Sequence, residues 1–445
     1  MTVWAGIIAA FVVLWLVLWL RHGPSVALCI VVPLTFLIPV WVSITVYGIP
    51  LQVRSLVAFF AICGYAIHPQ GKLFDSLTAL DVCVGAMCLI QIVSDFLVEG
   101  FQLQIPAISY GEWVLPYVVG RYAVGDELNL RMTSVCVLAV VFLLGLAGVV
   151  ESLSGTNVFE SVFGERPFEG FSRDASRLGF KRAYGTLLHP IFFGIFLLTL
   201  LPWCVPYLTA KVSIHWRIIG GLSLVVGIAG VLSTISRGPA VGVLVFAAVL
   251  SIIRWRFLRL PAFVVSTALV VLFVSRPDLL IRMADLSVGE ERGRLVELDG
   301  SLSHLTSSSN RFLLFRVYQK AALNSGLFGY GSEATSKFPP NVPYLPSMTS
   351  AVKNLPYVDN AWLLFTLRLG FLGVIGYSAL FITGVITASR TKLATSETPL
   401  MAAFAAGLTA SAFALQTVWM NYDCGSVILW TLGIVSGTVI SQRSA

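Results

Sequence analysis

The chain has 445 residues, of which 57% are hydrophobic and 11% charged, with a mean hydropathy of +0.87. That excludes a soluble fold, and in a membrane protein a formal charge of +7 points to cytoplasmic anchoring and anionic lipid, not to nucleic acid. The seven cysteines lie mostly inside apolar runs, so a disulfide framework is not expected, and neither they nor the five scattered histidines have metal-site spacing.

Repeated apolar runs of about 18 residues or more predict transmembrane helices. Short polar punctuation between them argues against an outer-membrane barrel, whose strands would alternate with period two. In chain order the expected spans are 3–20, 25–46, 55–68, 82–98, 105–121, 132–150, 189–208, 217–235, 239–253, 261–275, 361–387, 399–420 and 424–441. The expected fold class is an all-α polytopic membrane protein of about 12–13 transmembrane helices. The first run lacks a basic n-region and a small-residue cleavage site, so it reads as a retained span. The third is short, and the fifth carries Tyr110, Glu112 and Tyr117. Four regions result: N-terminal helices 1–130, central helices 131–275 with a polar loop at 151–188, a large polar loop 276–360, and C-terminal helices 361–445.

Basic residues in short loops set orientation. One alternate set holds Arg21, Lys72, Arg121, Arg131, Lys211, Arg217, Arg254, Arg256, Arg259, Arg390, Lys392 and Arg443. The short loops of the other set hold only Arg54 and Arg237, with acids at Asp95 and Glu99. The first set is expected on the cytoplasmic side, which turns both polar loops outward.

The large loop concentrates charge, from Arg276, Asp278 and Arg282 to Lys353 and Asp359. At about 80 residues it is too long for a connector, and long loops in compact folds are usually functional. Within it Asn310 to Asn324 predicts a short helix at the membrane surface, with Ser307 to Asn310 as cap candidates and Gly326 as its stop. Pro339, Pro340, Pro343 and Pro346 mark an irregular stretch beyond it.

Several side chains stand out. Arg316 and Lys320 lie four apart on one face of that helix, either as solvated cations or with an anion between them. Arg237 sits in Thr234-Ile-Ser-Arg-Gly-Pro239, a break between two spans with almost no loop. It either snorkels to the interface or faces inward to a ligand. Arg182 stands where the first polar loop returns to the membrane, in Arg182-Ala-Tyr-Gly-Thr-Leu-Leu-His-Pro190. With Arg237 and Arg311 it could form a guanidinium cluster suited to diphosphate. His189 reads as a helix-opening residue. Asp359-Asn360 closes the large loop and offers either an N-cap or a general base. Gly370, Gly373 and Gly376 read as a packing face of the following span.

Asp359-Asn360 followed by Gly370-x-x-Gly373-x-x-Gly376 resembles the motif of the O-antigen ligase and Wzy-type polymerase superfamily. The Arg182–Pro190 segment, the Ser236-Arg237-Gly238 turn, and Arg311 with Gly326-Leu-Phe-Gly-Tyr-Gly331 resemble other motifs of that superfamily, in the same order. The similarity covers roughly residues 130 to 440. The ligases usually carry histidine where this chain has Asp359, a departure that favours a polymerase. The resemblance implies a glycosyltransferase C-like membrane fold in a bacterial inner membrane, with the active site facing the periplasm. It implies metal-independent transfer, without cofactor, from an undecaprenyl-diphosphate-linked glycan to a sugar hydroxyl of a glycan acceptor. By position, Arg182 and Arg237 would bind the diphosphate with Arg311 assisting. Arg316, Lys320 and Asn360 are further substrate-binding candidates, and Asp359 would be the base. Whether a flippase and a chain-length regulator work beside it is left open, and a transporter is the rival reading from another class.

Overall fold

The computed structural model describes residues 2–46, 49–67, 76–123, 127–166, 176–209, 212–261, 264, 267, 294–298, 301–305, 309–345, 357–391 and 398–444. The expected span 261–275, the charged start of the large loop, the cap candidates Ser307 and Ser308, and Pro346 lie wholly or mostly outside them.

The helices in chain order are α1 (Thr2–His22), α2 (Pro24–Thr35), α3 (Val53–Ile67), α4 (Ala79–Glu99), α5 (Gln104–Ser109), α6 (Leu115–Ala123), α7 (Glu127–Ser154), α8 (Val158–Phe163) and α9 (Pro190–Leu200). They continue as α10 (Val205–Thr209), α11 (Ile214–Ser233), α12 (Arg237–Arg254), α13 (Ser309–Leu323), α14 (Gly331–Ser336), α15 (Ala361–Arg390), α16 (Thr398–Ala414) and α17 (Tyr422–Ser444). Three short antiparallel ribbons pair β1 (Ser43–Val46) with β2 (Ile49–Gln52), β3 (Ser176–Arg177) with β4 (Phe180–Lys181), and β5 (Arg294–Leu298) with β6 (Ser301–Leu305). Among the described residues eight helical segments are long and apolar enough to cross a membrane: α4, α7, α9 with α10, α11, α12, α15, α16 and α17. The chain is an all-α polytopic membrane protein, as its composition demands.

Two expected spans are corrected. Residues 25–46 do not form one helix: α2 carries Pro33, ends at Thr35, and gives way to the β1–β2 ribbon. A proline in a helix interior removes a backbone hydrogen bond and crowds the preceding turn. Residues 105–121 are helical but interrupted, because Tyr110–Val114 form a π-helical turn carrying Glu112 between α5 and α6. Such turns often sit at functional sites.

Packing follows membrane rules, where close van der Waals contact replaces water exclusion between helices. α9 is apolar on all sides and lies buried, as does most of α17. Trp203 stacks on Trp430 with ring centroids 5.6 Å apart, and Phe404 meets Trp203 edge-on at 5.0 Å. Leu222, Val225 and Leu244 point outward from α11 and α12, a surface suited to lipid. A second cluster, Leu314, Val317, Tyr318 and Ala321 of α13 with Val358, Leu363 and Leu367, fastens the large loop to the start of α15.

The glycine motif does more than pack. Gly370 is non-helical (φ 69, ψ −161) and breaks α15, and the loop after α13 inserts at the break. Phe371 N–H donates to Gly326 O at 3.0 Å, Leu372 N–H to Leu327 O at 3.2 Å, and Tyr330 N–H to Leu367 O at 2.8 Å. Backbone groups freed by the break are thus satisfied from the loop. A Cβ at Gly370 would lie 2.5 Å from Leu327 O, and one at Gly329 would lie 2.5 Å from Gly370 N. Gly370→Ala is therefore expected to cost about 2 kcal/mol or more. A lowered Tm in detergent would report this, and an unchanged Tm would rule out insertion at that point.

Candidate functional site

The chain converges at one end of the bundle, where α4, α7, α11 and α16 finish and α9, α12, α15 and α17 begin. The segment before α9 is held there by a buried network. The Glu151 carboxylate (Oε2) accepts Gly185 N–H at 3.0 Å and the Asn157 amide at 2.9 Å, and that amide also donates to Gly185 O at 3.0 Å. Arg166 donates to Leu188 O at 2.6 Å and lies over the Tyr184 ring. Asn157 caps α8 with its side-chain oxygen as well. These anchors fix Arg182 and His189.

Arg182 turns toward the α11–α12 junction. Its Nε donates to Thr234 O at 3.2 Å and a terminal nitrogen to Ser236 Oγ at 2.9 Å. Arg177, on β3 of the ribbon that precedes Arg182, donates to Ile235 O at 3.4 Å. Ile235 itself adopts φ 46, a left-handed conformation unfavourable for a β-branched residue. Strain of this kind persists only where surroundings over-determine it and is concentrated at functional sites. Here two guanidinium groups and the Ser236–Thr234 hydrogen bond (3.0 Å) hold the turn that places Arg237 at the start of α12. Ser236, the N-cap of α12, makes no side-chain cap bond. A positive helix-end dipole and two nearby guanidinium groups make this corner suited to an anion.

His189 caps α9, its Nδ1 accepting Ile191 N–H at 3.2 Å. Burial, then Arg182 and Arg166, push its pKa down to about 3. The imidazole is therefore neutral at physiological pH, and with Nδ1 accepting, its proton sits on Nε2. It can donate there but is a poor base.

Asp359 stands just before α15. Asn360 caps α15, its Oδ1 accepting Leu363 N–H at 2.9 Å while its amide donates to Gln416 O at 3.0 Å and Gln416 Oε1 at 3.2 Å. The Asn360 side chain is thus committed to fixing the backbone that carries Asp359. The next residue along, Thr417, lies against Gly238 of α12. Gly238, next to Arg237, and Asn360, next to Asp359, therefore meet neighbouring residues of the α16–α17 link. Burial raises the Asp359 pKa from 3.8 to about 6, and the positive charge of Arg311 on α13 opposes that rise. Aromatic rings line the route between the two halves. His189 lies 5.4 Å from Phe192, Phe192 5.4 Å from Trp419, and Trp419 6.3 Å from the nearly parallel ring of Tyr357.

The structure thus groups Arg182 with Arg237 and Arg311 with Asp359. Arg316 and Lys320 are exposed on α13. Lys320 faces the Tyr344 ring at 5.9 Å, and no hydrogen bond or ion pair among the described residues ties either cation to the cluster. Sequence reasoning missed Arg177, Arg166 and Glu151. Arg177 lies outside the motifs, and Glu151 is the first residue of the expected polar loop 151–188 with no motif of its own. Among the described residues no group of three or more His, Cys, Asp and Glu could hold a metal.

Residues 222–378 match the family model described as O-antigen ligase. The matched stretch runs from α11 into α15 and contains Arg237, Arg311 and Asp359, with Arg182 outside it. Over these residues the chain is similar to the O-antigen ligase family, which agrees with the resemblance carried by the ordered motifs. No curated protein matches the chain at a significant level.

Proposed function

We propose that this protein polymerises glycan repeat units at the periplasmic face of a bacterial inner membrane, using an undecaprenyl-diphosphate-linked donor. The family match supports the broader statement, an enzyme of glycan transfer in surface-polysaccharide biosynthesis. The observation that supports the finer reading is that Gly238, next to Arg237, and Asn360, next to Asp359, meet the adjacent link residues Thr417 and Gln416, which would bring a carboxylate of raised pKa toward the arginines.

In this reading the acceptor hydroxyl oxygen attacks the donor's anomeric carbon, the bond from that carbon to the diphosphate oxygen breaks, and undecaprenyl diphosphate departs. Asp359 takes the hydroxyl proton. A carboxylate with a pKa near 6 is ionised at neutral pH yet more basic than an ordinary aspartate. Arg182 and Arg237 neutralise charge building on the leaving group, and the 276–360 loop contributes Arg311 beside the base.

Fixed guanidinium groups do the work a divalent ion could do, so activity is expected to survive EDTA. Loss restored by magnesium would overturn this. Ligation is the second reading, favoured by the description of the matched family. Surface-glycan profiling of a deletion strain, with and without the wild-type gene, separates the two. Single repeat units on the surface without long chains mean polymerase. Complete polymer stranded on undecaprenyl diphosphate means ligase, and an unchanged profile rejects both.

A further inference from the structure

Beyond Trp419 a cavity of about 470 Å³ opens between α4, the π-helical turn, α14, the first turns of α15 and the start of α17. That volume suits a small organic ligand. Its lining combines two features that neither a lipid tail nor a diphosphate would select. The rings of Trp113, Phe338, Phe365 and Trp419 border it, and so do four carboxylates, Asp95, Glu99, Glu112 and Glu333, against the single guanidinium of Arg368.

The polar groups are held in place. Asp95 accepts the N–H and the hydroxyl of Ser332, each at 2.7 Å, and that hydroxyl accepts Arg368 Nε at 2.7 Å. The π-helical turn aims Glu112 at Arg368, 3.4 Å away, and its Oε2 also takes the Gln91 amide at 2.8 Å. The side-chain oxygen of Gln91 accepts the Trp113 indole N–H at 2.6 Å. Glu99 accepts Glu333 N–H through Oε1 at 3.0 Å. Glu112 Oε1 and Glu99 Oε2 take no hydrogen bond among the described residues. Acceptor oxygens left over in a pre-formed wall, next to aromatic faces, match a polyhydroxylated ring that donates from its hydroxyls and lays its C–H face on the rings. Excess negative charge repels phosphates and uronic acids alike.

Place settles which glycan this would be. Val358 lines the cavity and is the residue before Asp359, while Trp419 touches Phe192 on the arginine side and lies 6.2 Å from Phe338 on the cavity side. We propose that the cavity binds uncharged or amino-bearing sugars of the acceptor glycan, presenting their hydroxyl toward Asp359, and that Glu112 and Trp419 are its principal recognition residues. The proposal rests on the transfer reading above and assigns its second substrate a place.

The test is calorimetric titration of the full-length protein in nanodiscs. The probe is oligosaccharides of one to three repeat units, released by mild acid from the host's own surface polysaccharide. Saturable binding is expected without any lipid carrier. Affinity should fall at least tenfold in Glu112→Gln and in Trp419→Ala and stay unchanged in Arg237→Ala. Phe338→Ala, at a side chain already 53% exposed, supplies a variant with little folding risk and should also weaken binding. Absent binding by the wild type, wild-type affinity in all of Glu112→Gln, Trp419→Ala and Phe338→Ala, or competition by geranyl diphosphate would each overturn the proposal. Binding that follows this pattern in a protein whose deletion leaves the surface glycan unchanged would support the sugar site while rejecting the polymerase reading.

Discussion

Asp359→Asn is expected to remove polymer formation, with a rate loss of about 10²–10⁴, the usual contribution of a positioned general base. The folded protein should not suffer. Asp359 has a folded pKa of about 6 against 3.8 for the ordinary side chain. The folded state therefore holds the proton more tightly than the unfolded chain between those values. The sign follows directly: stability linked to this group is fully present below pH 4 and is lost as pH rises through about 6. At neutral pH the ionised carboxylate costs at most about 3 kcal/mol, an upper bound because the side chain is only half-buried. An amide carries no such cost. The variant's Tm at pH 7.5 should equal or exceed that of wild type, and the gap should narrow markedly at pH 4.5. The wild-type rate should also show an acidic limb near pH 6 in a reconstituted assay. Near-normal polymer from the variant would remove Asp359 as the base, and a clearly lowered Tm would make its role structural.

Much of the fold was legible because membrane spans are written in hydropathy. The expected spans at 82–98, 132–150, 217–235, 239–253 and 361–387 all correspond to helices of the structure, with ends displaced by a few residues. Hydropathy fails where the backbone leaves the helix inside an apolar run. Nothing in the apolarity of residues 25–46 distinguishes a ribbon from a helix, although Pro33 was a visible warning. Glu112 was noticed as an awkward guest in the fifth span, yet its partners Gln91 and Arg368 are 21 and 256 residues away. Gly370 had the right residue type for a positive φ, but a glycine at three-residue spacing reads equally as a packing face.

The candidate site residues drew notice by a different signal. Arg237 drew notice by breaking the basic-residue asymmetry, and Arg182 by standing at the return of a polar loop. Glu151 and Arg177 carry no such signature. Their significance lies in one carboxylate oxygen bonding Gly185 N–H and one guanidinium bonding Ile235 O, contacts that only the folded chain reveals.

Arg237→Ala is expected to weaken binding of a lipid-linked diphosphate by about 10- to 100-fold, the loss of one or two charge-assisted hydrogen bonds at about 1.5–3 kcal/mol. Arg182→Ala should cost at least as much for a composite reason. It removes a guanidinium from the corner and also releases Thr234 O and Ser236 Oγ, two of the acceptors that hold the strained turn presenting Arg237. Its Tm should therefore fall, whereas that of Arg237→Ala should change little. Because Arg182→Ala already misplaces Arg237, the double variant should lose less than the sum of the singles, with a coupling of about 0.5–3 kcal/mol. Arg182→Lys keeps the charge without the planar fork and should remain impaired. Strict additivity would show that Arg182 does not act through the turn. Unchanged diphosphate binding in both single variants would remove the arginines from the donor site altogether and move the search for it to the exposed Arg316 and Lys320 on α13.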